Sequence, residues 1–274
     1  MICLACDCII EYFNVIGKAF KDSGGAISMF WISKLALFIV FFLLATSPCN
    51  SQPVDTDVTS RLESAKTLLE AGKIDESIEV LSRILESGAS PLANYYRGMA
   101  LTQKGMQAAA IRDYSEAIKK EPTQSVYYAR RGISRLSQGD IPDAITDLNR
   151  SLELEPSSPS VLSFRARALM MSSRHSQALE DINKAIQLSP NNSGFFKLRG
   201  DILTSAENYE NAVLDYDRAI QLTPGFAAAL NNRGIALAHL NRVKEAVDDL
   251  NAAMDLASSR PSPTRGQGFP ATPW

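Results

Sequence analysis

Cysteine is scarce in this chain and confined to one end. All four cysteines (Cys3, Cys6, Cys8 and Cys49) lie in the first 49 of 274 residues. The remainder has no thiol for nucleophilic catalysis, a Cys-based zinc site or a disulfide framework. Histidine is limited to 2 residues, His175 and His239, far apart in the chain. No HExxH, GxSxG or phosphate-loop spacing accompanies them. Neither sign of charge is in excess, since 28 basic and 30 acidic residues leave a net charge of -2. Proteins held by phosphate contacts usually carry a strong basic excess, so nucleic acid is not an expected partner. No catalytic residue, cofactor or metal site is expected, and the chain reads as a non-enzyme.

Long apolar runs are also rare. One stands out, LALFIVFFLLA at residues 35–45, preceded by Lys34. It is short of the roughly 20 residues that span a bilayer comfortably. It matches the apolar region of a secretory signal over residues 29–51, with MFWISK before it and Cys49 and Ser51 at the −3 and −1 cleavage positions. Met29 is then a natural start, and residues 1–28 an upstream extension. The alternative is an uncleaved anchor over residues 26–45. Lys18, Lys21 and Lys34 precede the run and no basic residue follows until Arg61. Either reading therefore expects the body on the lumenal or outer side. The expected location is the secretory pathway, in the endoplasmic reticulum lumen or outside the cell, or a single-pass membrane anchor.

What the body does have is a repeat. Gly98, Gly132, Ala166, Gly200 and Gly234 are spaced by 34 residues. Ala110, Ala144, Ala178, Ala212 and Ala246 follow at the same interval, as do Ala117, Ser151, Ala185, Ala219 and Ala253. Pro122, Pro156, Pro190 and Pro224 close four units. Each unit holds two apolar-periodic stretches of helical length, split by a short polar turn such as SQGD (137–140) or AENY (206–209). Small columns let paired helices approach closely, and proline ends the second helix. A lone helix pair cannot bury its apolar face, so the units are expected to stack.

A unit of this length, with a small residue, then Ala-x-x-x-aromatic or aliphatic, then Pro, resembles the tetratricopeptide repeat (TPR). The matching segments are Ala110–Tyr114, Ala144–Leu148, Ala178–Ile182, Ala212–Tyr216 and Ala246–Leu250. A weaker first unit carries Ala65, Gly72, Ser77 and Leu81 in the same columns. The resemblance implies an all-α solenoid of antiparallel helix pairs in a right-handed superhelix. Its six units would span residues 59–90, 91–124, 125–158, 159–192, 193–226 and 227–258. The Trp and Leu frequent in the family's first helix are mostly replaced, the Leu column by arginine.

That column is Arg97, Arg131, Arg165, Arg199 and Arg233, and Asp113, Asp147, Asp181, Asp215 and Asp249 each follow sixteen residues later. The reading preferred here is a ladder joining the two helices of each unit; the alternative is an arginine row for an acidic partner. The resemblance also implies a concave face, lined by first helices, that binds a protein or peptide segment. Its columns carry Tyr95, Tyr96, Met99, Arg130, Ile133, Phe164, Arg167, Met171, Lys197, Asp201, Asn231, Asn232 and His239. This groove runs from aromatic to basic to amide, which suits a segment of mixed apolar and acidic character. The family's carboxylate clamp is not expected: Lys197 and Asn232 fit two of its places, but Asp201 stands where Asn is wanted.

The chain is thus expected to be a scaffold holding a peptide or unfolded segment. One version is similar to lumenal TPR co-chaperones, without their J-domain, holding unfolded clients or a chaperone. The alternative is a membrane-anchored receptor or adaptor that assembles a complex. Asn191 and Asn149 begin Asn-x-Ser sequons, and Asn191, beside Pro190 in a turn, is the better glycan acceptor. Residues 259–274, SRPSPTRGQGFPATPW, read as a disordered tail. The last helix is therefore expected to expose Val247, Leu250 and Met254. Either another chain covers them, or this chain is a shortened form of a longer repeat protein, which is the preferred reading.

Overall fold

The computed structural model describes residues 56–88 and 90–258. The expected signal or anchor, the extension before it and the tail lie outside the described residues. Twelve helices make up the described part. In order they are α1 (Thr56–Glu70), α2 (Ile74–Ser87), α3 (Pro91–Gln103), α4 (Gln107–Lys120), α5 (Ser125–Gln138) and α6 (Ile141–Leu154). They continue as α7 (Pro159–Met171), α8 (His175–Leu188), α9 (Ser193–Ser205), α10 (Tyr209–Leu222), α11 (Ala227–His239) and α12 (Val243–Ser258). No described helix is long and apolar enough to cross a membrane.

Local chemistry sets the helix ends. Pro91 and Pro159 open first helices, where a missing N–H costs nothing. The Ser90 and Asn192 side chains accept the N–H groups of Ala93 and Gly194. Within each unit the turn needs one residue at positive φ. Gly72, Gly105 and Gly139 supply it in the first three units, and Ser173, Glu207 and Asn241 occupy the same column in the others. A side chain at that angle carries strain that glycine avoids. The units therefore share one turn geometry although their turn sequences differ.

Paired helices meet at the small column. A methyl group on Gly98 would lie 2.6 Å from the Tyr114 ring, and one on Gly200 would lie 2.6 Å from Tyr216. Both tyrosines are fully buried, so neither ring has room to retreat. Where the small residue is Ala166, its partner column carries the slimmer Ile182. Among the described residues the buried apolar side chains fall into four clusters along the stack. Leu148, Leu152, Val161, Leu162, Leu169, Ile182 and Leu198 belong to one buried cluster shared by three units.

First helices touch first helices from α3 to α11, whereas no contact joins the second helices of neighbouring units among the described residues. The second helices are therefore splayed, and the array curves towards its first helices. The concave side expected from the repeat thus has a geometric basis.

Gly98→Ala is expected to destabilise the protein by about 1–3 kcal/mol through overpacking. The Gly98→Ala/Tyr114→Ile pair, which copies the fourth unit, should lose less than the sum of its two single changes. Urea denaturation of the four proteins checks this coupling.

Candidate partner-binding groove

The arginine column ties three helices together. Arg97 donates from Nε and Nη2 to the two carboxylate oxygens of Asp113, at 2.8 and 2.7 Å. The same bidentate pair forms between Arg131 and Asp147, Arg165 and Asp181, Arg199 and Asp215, and Arg233 and Asp249. All five aspartates are buried. The remaining arginine nitrogen, Nη1, donates backwards to the preceding unit. Its acceptors are Ser82, Ser115, Asn149, Asn183 and Asp217, at 3.2, 3.0, 2.9, 2.7 and 2.5 Å. The carboxylate hydrogen bonds hold the Arg97, Arg199 and Arg233 guanidiniums above their ordinary pKa against the opposing effect of burial. These arginines face their own stack and not the groove. The first unit has Ser64 and Val80 in the two columns and lacks the pair.

Asp147 accepts from Arg135 as well as Arg131. Asp147→Ala would leave two partly buried cations without that carboxylate and is expected to cost about 3–5 kcal/mol. Replacing the pair, Arg131→Met with Asp147→Leu, should cost distinctly less. Thermal denaturation separates the two outcomes.

The groove itself begins with tyrosines. Tyr95 lies with its ring centroid 5.3 Å from Tyr96, 5.3 Å from Tyr127 and 6.2 Å from Tyr114. Burial pushes the Tyr96, Tyr114 and Tyr127 hydroxyls above the usual tyrosine range, and Tyr127 donates to Glu121 at 2.9 Å. Met99 packs half-buried against this cluster. Ile133 and Phe164 are likewise half-buried against the core, and Arg167 lies exposed over the Phe164 ring at 5.9 Å. Arg130 is half-buried and close enough to Tyr114 to favour its ionised form. Met171 is exposed.

The far end differs from the open basic and amide surface expected from sequence. Asp201 accepts from Lys197 Nζ at 2.7 Å, from Asn232 Nδ2 at 2.8 Å and from the Tyr216 hydroxyl at 3.0 Å. Asn231 donates to Asn232 at 3.1 Å. The place that a ligand carboxylate would take is filled by the chain's own acid. Burial first, then the nearby Asp201 charge, raises the Tyr216 hydroxyl. His239 stacks on Tyr209, 4.3 Å apart and nearly parallel, and His175 hydrogen-bonds Ser205.

Sequence reading missed three exposed apolar residues on the same helix faces: Leu92, Val126 and Ile235. They stand three, four and four residues from Tyr95, Arg130 and Asn231, the spacing of one helix face. That periodicity was the available signal. Among the described residues no group of His, Cys, Asp and Glu could hold a metal ion.

Models of the tetratricopeptide repeat match residues 62–125 and 130–193, and a further TPR repeat model matches residues 200–241. Together they cover more than half of the chain. The protein belongs to the tetratricopeptide repeat family. No curated protein matches it. Among solved TPR structures, PilF of Pseudomonas aeruginosa is 17% identical with a TM-score of 0.63, over 75% of this chain and 94% of that one. MamA of Desulfovibrio magneticus is 19% identical with a TM-score of 0.55, over 60% of this chain and 93% of that one. YrrB, described as a TPR protein with an unusual peptide-binding site, is 16% identical with a TM-score of 0.53, over 67% of this chain and 95% of that one. At these identities the likeness is one of fold.

Proposed function

We propose that this TPR protein is a non-enzymatic scaffold that holds an extended protein segment along its first helices. The observation that carries the reading is the run of exposed apolar side chains Leu92, Val126, Met171 and Ile235 on helices whose backs are fully committed to packing. Solvent-facing apolar residues aligned along one concave strip suit capture of another chain. Arg167 adds an exposed cation in the middle, and Lys197 is already neutralised by Asp201. The preferred segment is therefore apolar at both ends with an acidic residue between. An unfolded client of the secretory pathway has stretches of that kind, which makes a co-chaperone role the specific version. YrrB, a TPR protein with an unusual peptide-binding site, gives this reading a precedent within the fold.

A reduced, unfolded model substrate and a library of labelled peptides test the binding. Peptides of apolar-acidic-apolar composition should bind in the micromolar range. Arg167→Glu should weaken them about tenfold, and Leu92→Asp or Ile235→Asp at least as much. Equal binding by all variants would remove the groove from the account.

The secretory location rests on the apolar run before the repeats and on Asn191, which is exposed in the turn before α9. Asn149 is the poorer acceptor: it lies within α6, its side chain accepts from Arg165, and the sequon's Ser151 is buried. Endoglycosidase treatment of the secretory-cell product should raise its mobility, and Asn191→Gln should abolish the shift. A product without glycan that pellets with membranes would favour the anchored receptor instead.

A further inference from the structure

Each unit meets the next through the same second-helix columns. On α10, Val213 is 5% exposed, because it clusters with Ala236 and Leu237 of α11. On α6, Ile145 and Leu152 are 9% and 7% exposed, in one cluster with Val161 and Leu162 of α7. Helix α12 keeps these columns apolar, as Val247 and Met254, yet they are 49% and 65% exposed, and Val243, one turn before Val247, is 62% exposed. Leu250, expected from sequence to be exposed with them, is half-buried instead. It packs across Gly234, where a methyl group would lie 3.0 Å from its Cγ. The bare face is therefore the inter-unit surface alone.

A polar feature marks the same face. In five units a side chain of the second helix accepts the third arginine nitrogen of the following first helix. Asn149 and Asn183 are two of these acceptors. Helix α12 carries Asn251 in that column, exposed and without a hydrogen-bond partner among the described residues. It matches the same residue type that serves twice elsewhere in the array.

The internal interfaces also specify what fits. Four of the five covering helices have two adjacent small, apolar or amide residues, an arginine three positions on, and a second such pair three positions beyond; α5 departs from this, with Tyr128 and Arg135 in the paired positions. In α11 these are Ala229, Leu230, Arg233, Ala236 and Leu237, and all but the arginine are buried. We propose that the exposed face of α12 docks an α-helix of a partner protein with two apolar pairs around a central arginine, which bonds Asn251. A second copy docking through α1 does not meet this description, because α1 has Ser64 in the arginine column and Ser60 and Arg61 in the first apolar pair. This surface is separate from the groove of first helices.

The test uses the full-length chain and a stapled, fluorescent helix that copies residues 227–239. Anisotropy should report saturable binding. Val247→Asp in the protein should weaken it at least tenfold. Asn251→Asp, which reproduces the Asp217 acceptor of the preceding unit, should tighten it several-fold through a charge-assisted bond. That gain should vanish when the peptide carries Arg233→Ala. Arg167→Glu should leave binding unchanged, which keeps this result apart from the fate of the groove. Equal affinity for wild type and Val247→Asp would overturn the proposal. So would an Asn251→Asp gain that ignores the peptide arginine, or a peptide-free dimer that Val247→Asp abolishes.

Discussion

A pair of helices has more apolar surface than it can bury within itself. Everything else in this protein follows from that constraint. The Gly and Ala columns draw the two helices of a unit together, which uses one apolar side of each. The other side of the second helix stays uncovered until the next first helix lies on it. Stacking is thus the means by which each unit completes its own core, and burial of side chains such as Leu148, Ile182 and Ile202 supplies most of the driving force. The arginine column acts on a different level. Its buried carboxylate partners cost desolvation that offsets much of their attraction. What the fork of five donors adds is geometry: it fixes the angle within a unit and, through Nη1, the step to the unit before.

This division of labour frees one surface for function. Second helices spend their apolar columns on the next unit. First helices spend theirs on their partner and on the preceding unit. The remaining strip of the first helix faces the concave side, and its side chains differ from unit to unit: Tyr95, Ala129, Ser163, Lys197 and Asn231 share one column. Uniform columns maintain the solenoid, whereas variable ones write a binding surface on it. The constraint also leaves its signature at α12, the one described second helix whose stacking columns face solvent.

Much of the fold was legible in the sequence because a repeat multiplies each weak signal. One Gly or Ala means little, but the same column filled by Gly98, Gly132, Ala166, Gly200 and Gly234 fixes both period and helix pairing. The Arg and Asp columns could be paired for the same reason. Their backward bond was not legible, because its acceptors change identity from Ser82 to Asn149 to Asp217. The turn column was hidden likewise, since Glu207 gives no hint of a positive φ. In the groove, single-column reasoning found Tyr95 and Arg167 but treated Lys197, Asp201 and Asn232 as separate offerings to a ligand. Only their coordinates show that they satisfy one another, since hydrogen-bond closure depends on distances that no column records.

The central question is which side of the solenoid meets other proteins. A photo-crosslinking residue placed at Ile235 on the inner strip, and in a separate protein at Leu188 on an exposed second-helix position, gives the most direct measurement. With an unfolded substrate present, the account predicts adducts from Ile235 and few from Leu188. Adducts concentrated at Leu188, with Ile235 silent, would contradict it.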